Sequence, residues 1–146
     1  MLHALQFIAT LSAALFAGAA LYINLVEHPA RMGLETRIAA SQWAPSYKRA
    51  TWLQAPLALV SFLAGAAAWL MGAGVSWFVA AVFIGAVVPF TLIVIMPTNH
   101  KLLVPGRDLN SPETRALLEN WGKLHAVRTG LSLLAAVLFI WLLCVA

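Results

Sequence analysis

Acidic residues are scarce in this chain, with five Asp and Glu among 146 residues, and there is a single cysteine, Cys144. One cysteine excludes an internal disulfide, a CxxC redox pair and a thiolate metal cluster. Cys144 itself lies in an apolar run and reads as a small buried-type hydrophobe. Charge of either sign is short: Asp, Glu, Lys and Arg together make up 10%, against roughly 25% in a soluble domain. So little charge cannot clothe a surface that faces water. The nine Lys and Arg leave a formal charge of +4, yet they are spread over two loops. No dense basic face or nucleic-acid-binding motif results, which argues against nucleic acid as a partner. Also missing are HExxH and a repeated ExxH, the signatures of zinc hydrolases and di-iron bundles.

What the chain has instead is apolar length. Hydrophobic residues make up 62%, and the mean hydropathy is +0.88. Four long apolar segments, at residues 2–26, 47–71, 75–96 and 123–145, each reach the roughly 20 residues that span a bilayer. The expected fold is all-α: one integral membrane four-helix bundle over residues 1–146, with the lipid bilayer as solvent. The first segment is too long for a typical signal-peptide core and has no Lys or Arg before it, so it reads as a retained helix. Pro29 ends that helix. Residues 30–46, carrying Arg31, Glu35, Arg37 and Gln42, suggest a short interfacial helix. Gly72-Ala73-Gly74 predicts a tight hairpin between the second and third segments. Ser111-Pro112-Glu113 predicts a helix start whose amphipathic first turns run into the fourth segment.

The charges also orient the bundle. Arg31, Arg37, Lys48 and Arg49 fall in the first connection and Lys101, Arg107, Arg115 and Lys123 in the third, whereas the second has none. The positive-inside rule makes that end cytoplasmic and places both termini outside, in a bacterial-type inner or plasma membrane. Trp69, Trp77 and Trp141 then fit an outer aromatic belt, and Trp43, Trp52 and Trp121 an inner one. Small residues (Ala13, Ala14, Ala17, Gly18 and Ala64 to Ala68) supply close-packing faces between helices.

Polar residues collect at the cytoplasmic ends. Asn24, Glu27 and His28 share one helical face by their i, i+3, i+4 spacing, as do Tyr47, Thr51 and Gln54. Pro97-Thr98-Asn99-His100 closes the third segment. Trp121, His125, Arg128 and Thr129 share a face of the fourth, where His125 and Arg128 lie one to two turns inside the apolar run. An ionised group at that depth costs about 2.5–3.5 kcal/mol on insertion scales and so faces the bundle interior. A cytoplasm-facing pocket follows, with Glu27 or a loop acid near Arg128 and His125 between them. Asn24, Gln54, Trp52, Trp121, Tyr47 and Thr51 are its expected lining. Glu27, His28 and His125 also offer a metal site, and His28 or His125 an axial haem ligand. The sequence requires no cofactor and leaves metal and haem open, as it does homo-oligomer formation.

Three stretches carry a resemblance: Asn24-Leu25-Val26-Glu27-His28-Pro29-Ala30-Arg31, Met96-Pro97-Thr98-Asn99-His100-Lys101-Leu102, and Trp121-Gly122-Lys123-Leu124-His125-Ala126-Val127-Arg128-Thr129. Together, and in that order, they resemble the DUF1772 (anthrone oxygenase-like) family of small four-helix membrane proteins. The resemblance marks Glu27, Pro29, Arg31, Pro97, Asn99, His125 and Arg128 as family positions. It implies an oxygenase, since fungal members oxidise anthrones to anthraquinones with dioxygen. On that reading the substrate is an apolar phenolic, anthrone- or quinone-like molecule. His125 is the base, Arg128 with Asn99 or Gln54 stabilises the oxyanion, and Trp121 and Trp52 stack on the rings. Glu27 completes the catalytic set. The competing readings are a non-catalytic quinone-, haem-, metal- or lipid-binding module and a small transporter subunit, the latter disfavoured by the lack of inverted repeats.

Overall fold

A computed structural model describes residues 1–145. The helices are α1 (Leu2–Tyr22), α2 (His28–Met32), α3 (Thr36–Ala68), α4 (Val75–Phe90), α5 (Met96–Leu102) and α6 (Pro112–Cys144). π-helical turns at Ile23–Glu27, Trp69–Ala73 and Thr91–Ile95 join α1 to α2, extend α3 and join α4 to α5. Four continuous helical stretches, Leu2–Met32, Thr36–Ala73, Val75–Leu102 and Pro112–Cys144, are long and apolar enough to cross a membrane. Four such stretches make the chain an integral membrane protein. The stretches alternate in direction. α1 packs on α3 and α6, and α4 packs on the same two, so α1 and α4 face each other across the diagonal of a square.

Two of the π turns have a common cause. Pro29 and Pro97 stand at the beginnings of α2 and α5, where each lacks an N–H to donate back to the preceding turn. A widened turn absorbs the missing bond without ending the helix. The third π turn belongs to the hairpin, where Gly72 (φ +92°) and Gly74 (φ +96°) adopt backbone angles closed to most residues and reverse the chain.

Residues 36–46 do not form the expected separate interfacial helix. They are the first turns of α3, a single 33-residue helix that carries both Pro45 and Pro56. α6 is equally long and fuses the predicted amphipathic start with the fourth span. Its start is as expected: Ser111 Oγ accepts from the Thr114 N–H at 3.1 Å, with Pro112 at the first helical position. Each of these helices is about 50 Å long, against a hydrocarbon core of about 30 Å, so both project beyond it. The chain from Met32 to Leu34 is tied to α6 by Arg115, which donates to the carbonyl oxygens of Leu34 (3.0 Å) and Met32.

The interior has two apolar zones. One is built on small residues, Ala9, Ala13, Ala17, Ala64, Ala68, Ala80 and Ala81, around Phe16, Trp77 and Phe139. Gly65 belongs here: a Cβ on it would lie 2.9 Å from both Ala81 Cβ and Phe139 Cζ. Such close approach is what holds helices together when lipid supplies no hydrophobic drive. The other zone joins the projecting ends through Ala39, Trp43, Ile95, Leu102, Leu118 and Trp121. This corrects the belt assignment for three tryptophans. Trp43, Trp77 and Trp121 are buried core residues, and only Trp52, Trp69 and Trp141 present their rings to the exterior. Buried rings find aromatic partners, Trp77 on Phe139 at 5.4 Å and Trp43 stacked on Tyr47 at 5.1 Å, that an interface would not provide.

Candidate functional site

Between the two apolar zones lies a polar layer. Its first part is organised by Asn24, which the π turn after α1 aims at α6. The Asn24 amide donates from Nδ2 to the Gly122 carbonyl at 3.2 Å. A carbonyl only accepts, so this bond fixes the amide's orientation and turns Oδ1 toward His125 Nδ1 at 2.7 Å. His125 must therefore donate from Nδ1, which leaves the lone pair on Nε2. The Thr129 hydroxyl also reaches Asn24 Oδ1. Two side chains, Asn24 and Thr129, and one backbone group thus hold a buried imidazole in one tautomer.

The second part is Arg128, nine-tenths buried on α6. It donates from Nη2 to Gln54 Oε1 at 2.6 Å, and its Cζ stands 5.0 Å from the centre of the Phe16 ring. Among the described residues no carboxylate lies within salt-bridge distance of it. Arg128 Nε and Gln54 Nε2 are buried without any hydrogen-bond partner. A guanidinium in a low-dielectric layer with spare donors and no counter-ion among the described residues has the chemistry to receive an anion.

The third part is a polar network at the end of the site nearest the loops. Glu27 accepts from Arg31 at 2.5 Å and from the Ser46 hydroxyl, and Arg31 also donates to Gln42. Arg31 Nη1 lies 3.2 Å from His28 Nδ1. The His28 ring rests directly on Gly122, where a Cβ would come within 2.5 Å of His28 Nε2. Gly122→Ala should push His28 off α6 and loosen the Asn24 contact to the same residue, at a cost of about 1–3 kcal/mol. A melting temperature in detergent equal to wild type would show that the close approach is not constrained.

His125, Arg128, Gln54, Trp121 and Tyr47 line one small closed chamber together with Arg31. Its volume is about 10 Å³, room for roughly one water molecule. Trp121 stands between the two histidines, 4.8 Å from the His125 ring and 5.1 Å from His28. Two lateral clefts flank the chamber. One of about 690 Å³ lies between α1 and α3 and shares Ile23, Ser46, Ala50 and Gln54 with it. The other, about 130 Å³, lies on the α4 side and shares Tyr47, Thr51 and Arg128.

Several expectations need correction. Glu27 pairs with Arg31, four residues along its own helical stretch, and not with Arg128, which no acid approaches. Trp52 is 83% exposed and points away from the chamber, because Gln54, two residues on, takes the inward face of α3. Asn99 is fully buried with both amide atoms unpartnered, but it lies on α5 and does not line the chamber. Thr51 reaches the chamber edge, yet its hydroxyl is bonded to the Tyr47 carbonyl at 2.9 Å. Glu27, His28 and His125 do not gather into a donor set: Glu27 is held by Arg31, and among the described residues no three His, Cys, Asp or Glu side chains converge. Ser46, Gln42 and Phe16 belong to the site and were missed. Ser46 and Gln42 were hidden in the expected interfacial helix, and a phenylalanine beneath an arginine leaves no spacing signal.

The family model for anthrone oxygenase matches residues 43–138, about two-thirds of the chain and including Gln54, His125 and Arg128. This chain belongs to the anthrone oxygenase family. A relative, the anthrone oxygenase tpcL of Aspergillus fumigatus, is 40% identical over 70 residues, which is 46% of this chain and 44% of that protein. The aligned part thus spans under half of that relative's length. No solved structure matches. Asn24 to Arg31 lie before the matched residues, so the partner that orients His125 comes from outside them. Family membership supports an oxygenase-like role.

Proposed function

We propose that this protein is a membrane oxygenase that oxidises an anthrone-like phenolic substrate at the chamber formed by His125 and Arg128. The observation that carries the reading is the pairing of a tautomerically fixed imidazole with a buried guanidinium that has no carboxylate partner. A base facing a carboxylate-neutralised arginine would do little for a developing anion. Here the cation is left free for one.

The chemistry follows from the substrate class. An anthrone's methylene is acidified by the carbonyl across its ring, because the resulting anion is an aromatic enolate. His125 Nε2 takes one methylene proton, and the enolate oxygen is met by Arg128 and the spare Gln54 Nε2–H. The carbanionic carbon then passes electrons to dioxygen and bonds to it as a hydroperoxide. Loss of the second hydrogen as a proton, with cleavage of the O–O bond, leaves a carbonyl and releases water. One methylene and one O2 give one carbonyl and one H2O, so the substrate supplies every electron and no external reductant is needed. The charged loops that flank the chamber make its end of the bundle the cytoplasmic one.

The test is turnover. Protein in lipid nanodiscs, given dithranol (a dihydroxyanthrone) in aerated buffer, is expected to consume one O2 per anthrone and to form danthron, the matching dihydroxyanthraquinone. Under heavy-oxygen gas the new carbonyl should carry the label. A rate no higher than that of empty nanodiscs would refute the proposal.

A further inference from the structure

The chamber holds no more than a water-sized molecule, so the body of any ligand that reaches Arg128 must lie outside it. Two clefts are open to that body, and access to Arg128 separates them. The larger, between α1 and α3, is lined by Gln54, Arg49 and a Glu27 already paired with Arg31, and does not include Arg128. His125 lines neither cleft and is met only in the chamber between them. The smaller, on the α4 side, contains Arg128 itself with the neighbouring Tyr47 and Thr51. It also continues. Ala58 and Val88 line both this cleft and an adjoining apolar furrow of about 380 Å³ between α3 and α4, bounded by Phe62, Gly85 and Pro89. The two form one path that starts on the lipid-facing side of the bundle and ends at the uncompensated guanidinium.

We infer that the α3–α4 furrow is the substrate's binding site and its entrance from the bilayer, and that it selects amphiphiles with an anionic or anion-forming oxygen at one edge and a flat apolar body. This rests on the oxygenase reading for the chemistry at Arg128 but not for the location. Three observations converge on it. Arg128 is nine-tenths buried, with Nε unpartnered and no acid beside it among the described residues. The furrow walls are apolar, and two of the path's residues, Ala55 and Val88, are exposed on the bundle exterior, where a molecule dissolved in lipid meets them. The competing cleft does not reach Arg128. A lipid-dissolved phenol therefore enters sideways, body along α3 and α4, with its oxygen leading.

Binding of danthron separates this from the catalytic reading, because it needs no turnover. Wild-type protein in nanodiscs of zwitterionic phosphatidylcholine is titrated with danthron, and both affinity and the phenolate absorption band are recorded at one pH. Ala55→Trp and Val88→Trp fill the path from its exposed wall, so a folding defect is not expected. Each should weaken binding about tenfold or more, the scale of steric discrimination in an apolar pocket. Leu53→Trp and Ala19→Phe fill the α1–α3 cleft and should leave affinity within about twofold, well under that scale. Arg128→Gln should lose the phenolate band of the bound dye. The inference is overturned if wild type binds no dye, if the α1–α3 substitutions weaken binding and the α3–α4 ones do not, or if the phenolate band is unchanged in Arg128→Gln. If the furrow substitutions act as expected but dithranol is not oxidised, the oxygenase reading fails and the binding site stands.

Discussion

His125→Ala is expected to lower anthrone turnover by about a hundred- to ten-thousandfold, the usual contribution of a positioned general base, while the protein stays helical and monodisperse in detergent. The fold tolerates the loss because Asn24 keeps its bond to the Gly122 carbonyl and can still take the Thr129 hydroxyl. The measurement is single-turnover formation of anthraquinone under saturating oxygen. Asn24→Leu makes the complementary case. It leaves the imidazole in place but removes the acceptor for Nδ1–H, so the ring loses the bond that selects its tautomer. An intermediate rate is expected, with substrate binding near normal. Wild-type turnover in His125→Ala would remove the base from the mechanism.

The second large effect separates activity from stability. Arg128→Met should cut turnover by about a hundred- to a thousandfold, as the loss of an oxyanion donor does. It should also raise the melting temperature in detergent. Breaking a buried ion pair costs stability because it strands the partner's charge, but Arg128 has no charged partner to strand. Among the described residues its hydrogen-bond partner is Gln54, so Arg128→Met with Gln54→Leu should be more stable still. Buried cations held without compensation are a common form of the exchange between stability and activity. Thermal melting followed by circular dichroism decides the point. Melting several degrees below wild type in both variants would make Arg128 a structural strut and leave the enolate without its cation.

Much of the architecture was legible because lipid imposes simple rules. Apolar runs of bilayer length gave four spans, Ser111-Pro112-Glu113 gave the start of α6, and the depth of His125 and Arg128 placed both inside the bundle. The fusion of residues 36–46 with the second span was not legible. Residues 30–46, with Arg31, Glu35, Arg37 and Gln42, read as a separate interfacial helix, but nothing between Thr36 and Ala68 stops a helix whose ends pack on α6. The pairing of charges was misread for a related reason. Glu27 and Arg31 are four apart and bond locally, whereas depth alone suggested Arg128 as the acid's partner. Asn99 stands in the stretch Met96 to Leu102 that carries the family resemblance, but its spacing from Ile95 and Leu102 sends it into the apolar zone on α5. Trp52 shows the limit of composition: an aromatic beside a polar cluster reaches it only if the helical phase is right. Gln54 has that phase.

The water-sized chamber sets a rule for regiochemistry. On the proposed mechanism only the rim of a planar molecule can enter the chamber, so the oxygen that becomes anionic must sit on an outer edge. Isomers whose reactive methylene is hemmed in by bulky neighbours should pass along the bundle untouched, and two ring systems cannot occupy the seat together. On the proposed mechanism, coupling of half-oxidised molecules into dimers is expected to be rarer here than in open solution.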